Sequence, residues 1–265
     1  MTAQPPLPLA GRRALVTGAG RGLGRAIAAA LAADGAHVIA TARTPAELDE
    51  TVAVIERAGG SAQAVPTDIT DPSAVRALRS TAGAVDIVIN NAGNLVVRPF
   101  VRLPTAEADL PDGIAEPLTF DEWRTTHAVH VDGAFHVLQA FGPDLLARGH
   151  GRVVNIVSSA LGRTVPFSTA YDSAKAALAQ LTRSLAYEWA RHGVTVNAVA
   201  VGQVKTEMTA AAHEDPRALQ WMLRRIPARR VGEPAEVGRF VATLCHDDTG
   251  FLTGQIIAFD GGETL

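Results

Sequence analysis

Residues 14–25 read ALVTGAGRGLGR, and the reading of this stretch decides the fold. Its first four residues form a short apolar run with the composition of a buried strand. A glycine-rich turn follows at once, and an alanine-rich helical pattern (GLGRAIAAALAADG) opens at Gly22. Glycines at Gly18, Gly22 and Gly24 let the backbone come close to a bound group. The helix that they open offers unpaired N–H groups and a partial positive charge. Strand, glycine-rich turn and helix in that order form a cradle for the pyrophosphate of a dinucleotide. The spacing is Gly-x-x-x-Gly-x-Gly, not the commoner Gly-x-Gly-x-x-Gly. A tight strand-to-helix turn that binds nothing is the alternative.

Working outward, six further strand candidates follow: HVIAT (37–41), AQAV (62–65), VDIVI (85–89), RVVNIV (152–157), VTVNAV (194–199) and QIIAF (255–259). Helical patterns separate most of them. The strands are near-continuous apolar runs, as expected where helices cover both faces of a sheet. Strand–helix alternation predicts a single α/β domain over 1–265, a Rossmann-like doubly wound parallel sheet of about seven strands flanked by helices. Two stretches break the alternation. Residues 94–121 carry four prolines and several acids, and 201–233 lack a strand. Both follow a strand on the side where such sheets bind ligands, so both are candidate walls of a substrate pocket.

Composition narrows the function. Hydrophobic residues make up 47% of the 265, and the net charge of −3 argues against nucleic acid or an anionic membrane as the main partner. The one cysteine, Cys245, excludes an internal disulfide and suits a reducing cytoplasm. No apolar run approaches the ~20 residues that span a bilayer, and residues 1–13 (MTAQPPLPLAGRR) lack the pattern of a secretory signal. His, Cys and carboxylates do not cluster at metal-ligand spacing, so no metal is expected.

The second strand ends in Thr41-Ala42-Arg43. An acid at Ala42 would bind the ribose 2′-hydroxyl of NAD. Here Arg43 follows an alanine, and Arg21 lies in the glycine-rich turn, which suits the 2′-phosphate of NADPH or NADP+. Asp68, after the third strand, is placed to contact the adenine. Further along, Tyr171 and Lys175 lie four apart in a strongly helical run, with Ser158 thirteen positions before the tyrosine. Residues four apart share a helix face. A cation beside a phenol favours the phenolate and yields an acid or base usable near neutral pH. A surface Tyr–Lys pair is the plainer reading of that spacing alone.

Taken together, these residues resemble the short-chain dehydrogenase/reductase family over nearly the whole chain. Thr17 to Gly24 meet the pattern Thr-Gly-x-x-x-Gly-x-Gly, Asn90-Asn91-Ala92-Gly93 meet Asn-Asn-Ala-Gly, and Tyr171 and Lys175 meet Tyr-x-x-x-Lys. The resemblance implies that Ser158 polarises a substrate carbonyl, that Tyr171 is the acid/base, and that Lys175 holds the nicotinamide ribose and stabilises the tyrosinate. It implies a cofactor site made of Gly18, Arg21, Gly22, Leu23, Gly24, Arg43, Asp68, Ile69, Asn91, Ala92 and Gly93. Tyr171 and Lys175 also belong to that site, with Val204 and Thr206 at the carboxamide. Ser159, one residue on, is read as structural. The family commonly forms tetramers through its two long middle helices, here 119–148 and 169–192, so a homo-oligomer, dimer or tetramer, is expected.

Three departures stand out. Where the family places a catalytic Asn that orders a water beside the lysine, residues 129–133 read VHVDG, so His130 takes its place. The interval from Gly93 to His130 is long by roughly a dozen residues against the family pattern, marking 94–121 as an insertion. The usual Pro-Gly after the sixth strand is Val201-Gly202.

The expected function is NADPH-dependent reduction of a ketone or 3-oxoacyl-type substrate, reversible as an alcohol dehydrogenase. A non-catalytic NADP-binding sensor or scaffold is one rival, and a sugar-nucleotide epimerase or dehydratase is another. Leu161, Phe167, Gln203, Met208, Trp221 and Met222 are candidates for an apolar pocket, and each taken singly also fits the core.

Overall fold

The computed structural model of the chain describes residues 6–102, 116–210, 214 and 216–265. Among them, seven parallel strands form one sheet in the order β3-β2-β1-β4-β5-β6-β7. They are β1 (Arg13–Thr17), β2 (His37–Thr41), β3 (Ser61–Ala64), β4 (Ile87–Asn90), β5 (Gly151–Ser158), β6 (Val194–Val201) and β7 (Ile256–Phe259). Side chains alternate across the sheet. Ala14, Val16, Val38, Ala40 and Ile89 join one core, while Leu15, Ile39 and Val88 join the other. Every residue of β5 and β6 is buried, which is why both read as near-continuous apolar runs.

Helices α1 (Gly22–Ala33), α2 (Pro45–Arg57), α3 (Pro72–Ala82), α4 (Phe120–His127), α5 (Gly133–Arg148), α6 (Thr169–Trp189), α7 (Pro216–Arg225) and α8 (Pro234–Thr243) flank the sheet. Ile27 and Leu31 of α1 share the first core with Val237 and Val241 of α8. Val75 and Leu78 of α3 share the second with Val137, Phe141 and Leu145 of α5. Asp71 caps α3 by accepting from the Ser73 N–H at 2.7 Å. Thr119 and Glu122 form a reciprocal capping box on α4. Because β1 pairs with both β2 and β4, the connection order reverses between them. The ligand crevice of such a sheet opens beyond the carboxyl ends of those strands.

Strand positions match the expectations within one or two residues at most ends. β4 starts later than predicted, at Ile87; just before it, Asp86 adds a carboxylate bond from the Arg13 N–H at 2.8 Å to its own backbone bonds with Arg13 and Arg152. The long helix expected over 119–148 is interrupted. A π-helical turn, Ala128–Asp132, separates α4 from α5 and carries His130. The helix expected to reach 192 ends as an α-helix at Trp189 and finishes in a 3₁₀ turn, Ala190–His192.

Of the expected insertion over 94–121, residues 103–115 lie outside the described residues. Its two ends meet: Leu118 N–H donates to Pro99 O at 2.8 Å, and Arg102 pairs with Glu116 at 3.1 Å. The 201–233 segment is described apart from 211–213 and 215. It holds α7 and an isolated bridge between Val204 and Gly232.

Candidate active site

The glycine-rich turn is built to lie close to its neighbours. Gly18 has φ of 63°, and a Cβ there would stand 2.8 Å from the Ala92 Cα. A Cβ on Gly24 would collide with the Gly18 carbonyl. Gly22, with φ of 53°, faces Thr206 and the Glu207 carboxylate on the segment that follows β6. No side chain caps the α1 N-terminus at Arg21, and its first turn holds no acid. The α1 N-terminus therefore presents N–H groups without a side-chain cap, with the Glu207 carboxylate close to Gly22, an arrangement that fits a dinucleotide pyrophosphate.

The Asn91 side chain is committed to the turn. Its amide donates to Thr17 O at 2.9 Å and to Gly18 O at 3.2 Å. The Thr17 hydroxyl in turn accepts from the Asn91 and Ala92 N–H groups at 3.0 and 3.1 Å. The side chain holds the turn in place and is spent on backbone. Leu23 and Ile69 likewise send their side chains into the core. Ile69 packs where a Cβ on Gly133 would fall, so these two offer only backbone to a ligand.

At the end of β2, Arg43 is exposed and Ala42 half-buried. Asp68 accepts from the Thr70 N–H at 2.9 Å and its hydroxyl at 2.8 Å. Burial pushes the Asp68 carboxyl up, but those two bonds and the Arg43 charge hold it below the usual value. Arg21, the other expected cation, stands 3.8 Å from a Glu47 carboxylate oxygen. Sequence reading passed over Glu47, which comes from the first turn of α2.

Ser158, Tyr171 and Lys175 converge. Ser158 ends β5 and accepts from the Ala160 N–H at 3.1 Å, capping a 3₁₀ turn. Tyr171 is in the first turn of α6, one turn before Lys175. The Lys175 Nζ lies 5.5 Å from the centre of the phenol ring and donates to Ile156 O at 2.7 Å. Burial pushes the Lys175 ammonium down to about 7. It pushes the Tyr171 phenol up to about 12, against a hydrogen bond with Ser158 that lowers it, and the Asp172 charge adds to the rise. In the free chain Tyr171 is therefore a proton-bearing acid at neutral pH. Burial therefore decides the phenol's state in place of the phenolate expected beside a cation.

His130 joins this group. It is 2% exposed, and its ring meets the Tyr171 ring edge-on at 5.3 Å between centroids. Nε2 faces both backbone groups of Asn94: it donates to the carbonyl at 2.8 Å in the Nε2–H tautomer, and accepts from the Asn94 N–H at 3.2 Å in the Nδ1–H tautomer. Nδ1 is buried with no protein partner. Burial and the nearby Lys175 charge hold the imidazole down to about 3, with the Asn94 bond opposing and His127 adding slightly. The ring stays neutral. Gly93 is a glycine because a Cβ there would run into the His130 ring. The π turn aims His130 at that gap, one extra residue rotating the ring toward the site.

With this geometry, known proteins give a consistent answer. A family model described as enoyl-(acyl carrier protein) reductase matches residues 18–264. Galactitol 2-dehydrogenase (L-tagatose-forming) of Cereibacter sphaeroides is 38% identical over 262 residues, 97% of this chain and 96% of its own. Gluconate 5-dehydrogenase of Gluconobacter oxydans is 34% identical, with 97% and 96% covered. The crystal structure of a gluconate 5-dehydrogenase from Burkholderia cenocepacia, in complex with NADP and tartrate, superposes with a TM-score of 0.86. That chain is 31% identical, with 98% of this chain and 97% of that one covered.

The chain belongs to the short-chain dehydrogenase/reductase family. It is an oxidoreductase by that membership. The two remaining candidates of the family pattern are placed differently from each other. Val204 sends its side chain into the core and bridges to Gly232, and its carbonyl accepts from the Thr209 hydroxyl at 2.8 Å. Thr206 faces Gly22, and its hydroxyl lies 3.1 Å from that of Thr209. Where the family has Pro-Gly, Val201 ends β6 and Gly202 is kept by crowding. A Cβ on Gly202 would stand 2.7 Å from the Asp260 Cα. Ser159 is structural as expected, donating to the buried Glu263 carboxylate at 3.1 Å.

Of the apolar pocket candidates, Met222 is buried, whereas Leu161, Met208 and Trp221 are exposed. Trp221 carries the Arg225 guanidinium at 4.1 Å over its ring. Sequence reading missed a buried polar chain. Asn90 donates to Asn155 and Asn155 to Thr182, both at 2.8 Å, tying β4 to β5 to α6. Polar residues inside predicted core strands were its only signal. Among the described residues, no helix is long and apolar enough to cross a membrane, and no group of three His, Cys, Asp or Glu is placed for a metal.

Proposed function

We propose that the protein is an NADPH-dependent carbonyl reductase, reversible as an alcohol dehydrogenase, with Tyr171 as its acid/base. One observation carries this reading: Ser158, Tyr171, Lys175 and His130 gather at the carboxyl end of β5, beyond the uncapped α1 N-terminus. A bound nicotinamide supplies the hydride, and takes it back in the reverse direction. The Ser158 hydroxyl donates to the substrate carbonyl oxygen as charge builds there. Tyr171 gives its phenol proton to the same oxygen, which leaves an alcohol and a tyrosinate. Lys175 stabilises that tyrosinate. Its depressed value of about 7 lets it pass a proton back to Tyr171 near neutral pH. His130, held by Asn94, presents its unpartnered Nδ1 to an ordered water in the place of the usual Asn amide.

The sugar-alcohol and sugar-acid names of the relatives support a polyhydroxylated ketone as substrate. A 3-oxoacyl thioester is the second reading, supported by a 34% identical 3-oxoacyl-[acyl-carrier-protein] reductase of Escherichia coli. A cytoplasmic homo-oligomer is supported by the lone buried Cys245 and by the exposed Phe135 and Tyr187 on α5 and α6. The test is NADPH consumption against a panel of keto sugars, keto-aldonates and 3-oxoacyl thioesters. Steady turnover with the first two classes is expected. No NADPH oxidation with any class would favour the sensor or scaffold reading. Epimerisation without net oxidation would favour the third.

A further inference from the structure

Cofactor choice in this chain is not set by its two arginines alone. A Cβ built on Gly20 would stand 2.9 Å from both the Cβ and the Oε2 of Glu47, and 3.6 Å from the Ala42 Cβ. The Glu47 carboxylate therefore fills the gap between the glycine-rich turn and the end of β2. It is half-buried there, with 35% of its side chain exposed. Its other oxygen, Oε1, is the one 3.8 Å from Arg21. Helix α2 starts at Pro45, so Glu47 is fixed on the first turn of a helix and not on a loose loop. Arg25 pins the turn from behind. It donates to Gly20 O at 2.5 Å and to the Thr51 hydroxyl at 3.0 Å, and pairs with Glu50 at 2.7 Å.

We propose that Glu47 is a specificity-determining residue, a resident counter-ion of Arg21 that the 2′-phosphate of NADPH must displace. The inference rests on the NADPH reading above. Arg21 alone attracts the phosphate. Glu47 occupies that attraction in the free protein and repels the incoming dianion. Its charge narrows the gap between NADPH and NADH that Arg21, Arg43 and Ala42 would otherwise open. An acid in the β2-end position discriminates for NADH by binding the ribose hydroxyls. Glu47 instead acts by withholding a cation, so it penalises the 2′-phosphate without being needed by a ligand that lacks it.

Calorimetric binding of adenosine 2′,5′-bisphosphate and of ADP to the wild type, Glu47→Gln and Arg21→Ala tests this. Glu47 is half-buried in the first turn of α2, and unchanged thermal unfolding of the variant is the control for folding. Glu47→Gln should tighten the bisphosphate roughly threefold to tenfold, the scale of a partly exposed ion pair acting on a dianion. ADP should change less than about twofold, and the gain should shrink at high salt. Arg21→Ala should weaken the bisphosphate and leave ADP alone. In the double variant, the gain from Glu47→Gln should largely vanish. An unchanged bisphosphate affinity in Glu47→Gln overturns the proposal. So does an equal gain for both ligands, and so does a loss of ADP affinity, which would make Glu47 a ribose ligand. The NADPH reading fails separately, if both the wild type and Glu47→Gln bind the bisphosphate no better than ADP.

Discussion

Tyr171 and His130 divide the proton chemistry at the scale of single residues. Tyr171→Phe removes the acid and leaves the ring, so turnover should fall below about a tenth of wild type while NADPH affinity stays nearly intact. Lys175→Ala should damage both rate and cofactor affinity. Stopped-flow turnover paired with NADPH fluorescence titration separates the two. His130→Asn restores the family amide and should keep substantial activity. His130→Leu should lose about 10²-fold, the lower end for a positioned acid–base group.

The same residue carries a pH signature. Its folded value of about 3 lies below the ordinary 6.5. Between those values the unfolded chain binds a proton that the folded chain does not, so stability is lost as pH falls from 6.5 toward 3. The slope is about 1.4 kcal/mol per pH unit for one proton. His130→Asn should remove that share of the loss in urea unfolding from pH 7 to pH 4. Equal pH slopes for the two proteins would mean that the imidazole is not held neutral.

Among the elements, the π turn Ala128–Asp132 and the Gly93 gap form one unit. An ordinary α-turn would carry His130 off the face that meets Tyr171. Neither the turn nor the gap is legible in the sequence, because no residue type marks a single π turn and only the fold brings His130 against Gly93. Gly93→Ala drives a methyl into the imidazole and should cost about 1–3 kcal/mol of stability, the range of overpacking. Joined to His130→Asn, whose side chain is smaller, that cost should shrink. A double-mutant cycle by thermal unfolding with a coupling near zero would separate Gly93 from His130. Asn91 teaches the same lesson. Its place after β4 marks the site, but only the structure shows its amide spent on Thr17 and Gly18.

For the molecule as a whole, the long middle helices α5 and α6 leave Phe135 and Tyr187 in solvent. Burying those faces against a second copy would satisfy the hydrophobic effect at both helices. Light scattering at micromolar concentration should therefore give a dimer or tetramer, and a mass of 27.7 kDa would contradict that. Replacing Ala42 with Asp should shift cofactor preference toward NADH, since the sheet edge then carries the ribose-binding acid. A ratio of NADPH to NADH dissociation constants unmoved by that change would mean that another group reads the ribose.

The sequence by itself determined the doubly wound sheet, the glycine-rich cradle and the Ser158–Tyr171–Lys175 set. The sheet and the turn are written in local spacing, as strand-length apolar runs and glycines where a turn must form, whereas the three-residue set came from resemblance to the family, since a tyrosine and a lysine four apart also fit a plain surface pair. The tertiary structure alone decided the rest. It placed Glu47 over Gly20 and 3.8 Å from Arg21, a neighbour that sequence reading had not given that arginine. It raised the Tyr171 phenol and lowered the Lys175 ammonium through burial, against the sign that their spacing suggested for the tyrosine. Contacts between residues tens of positions apart, and the loss of water around a charge, depend on how the chain closes in space. No local pattern of side chains encodes either one.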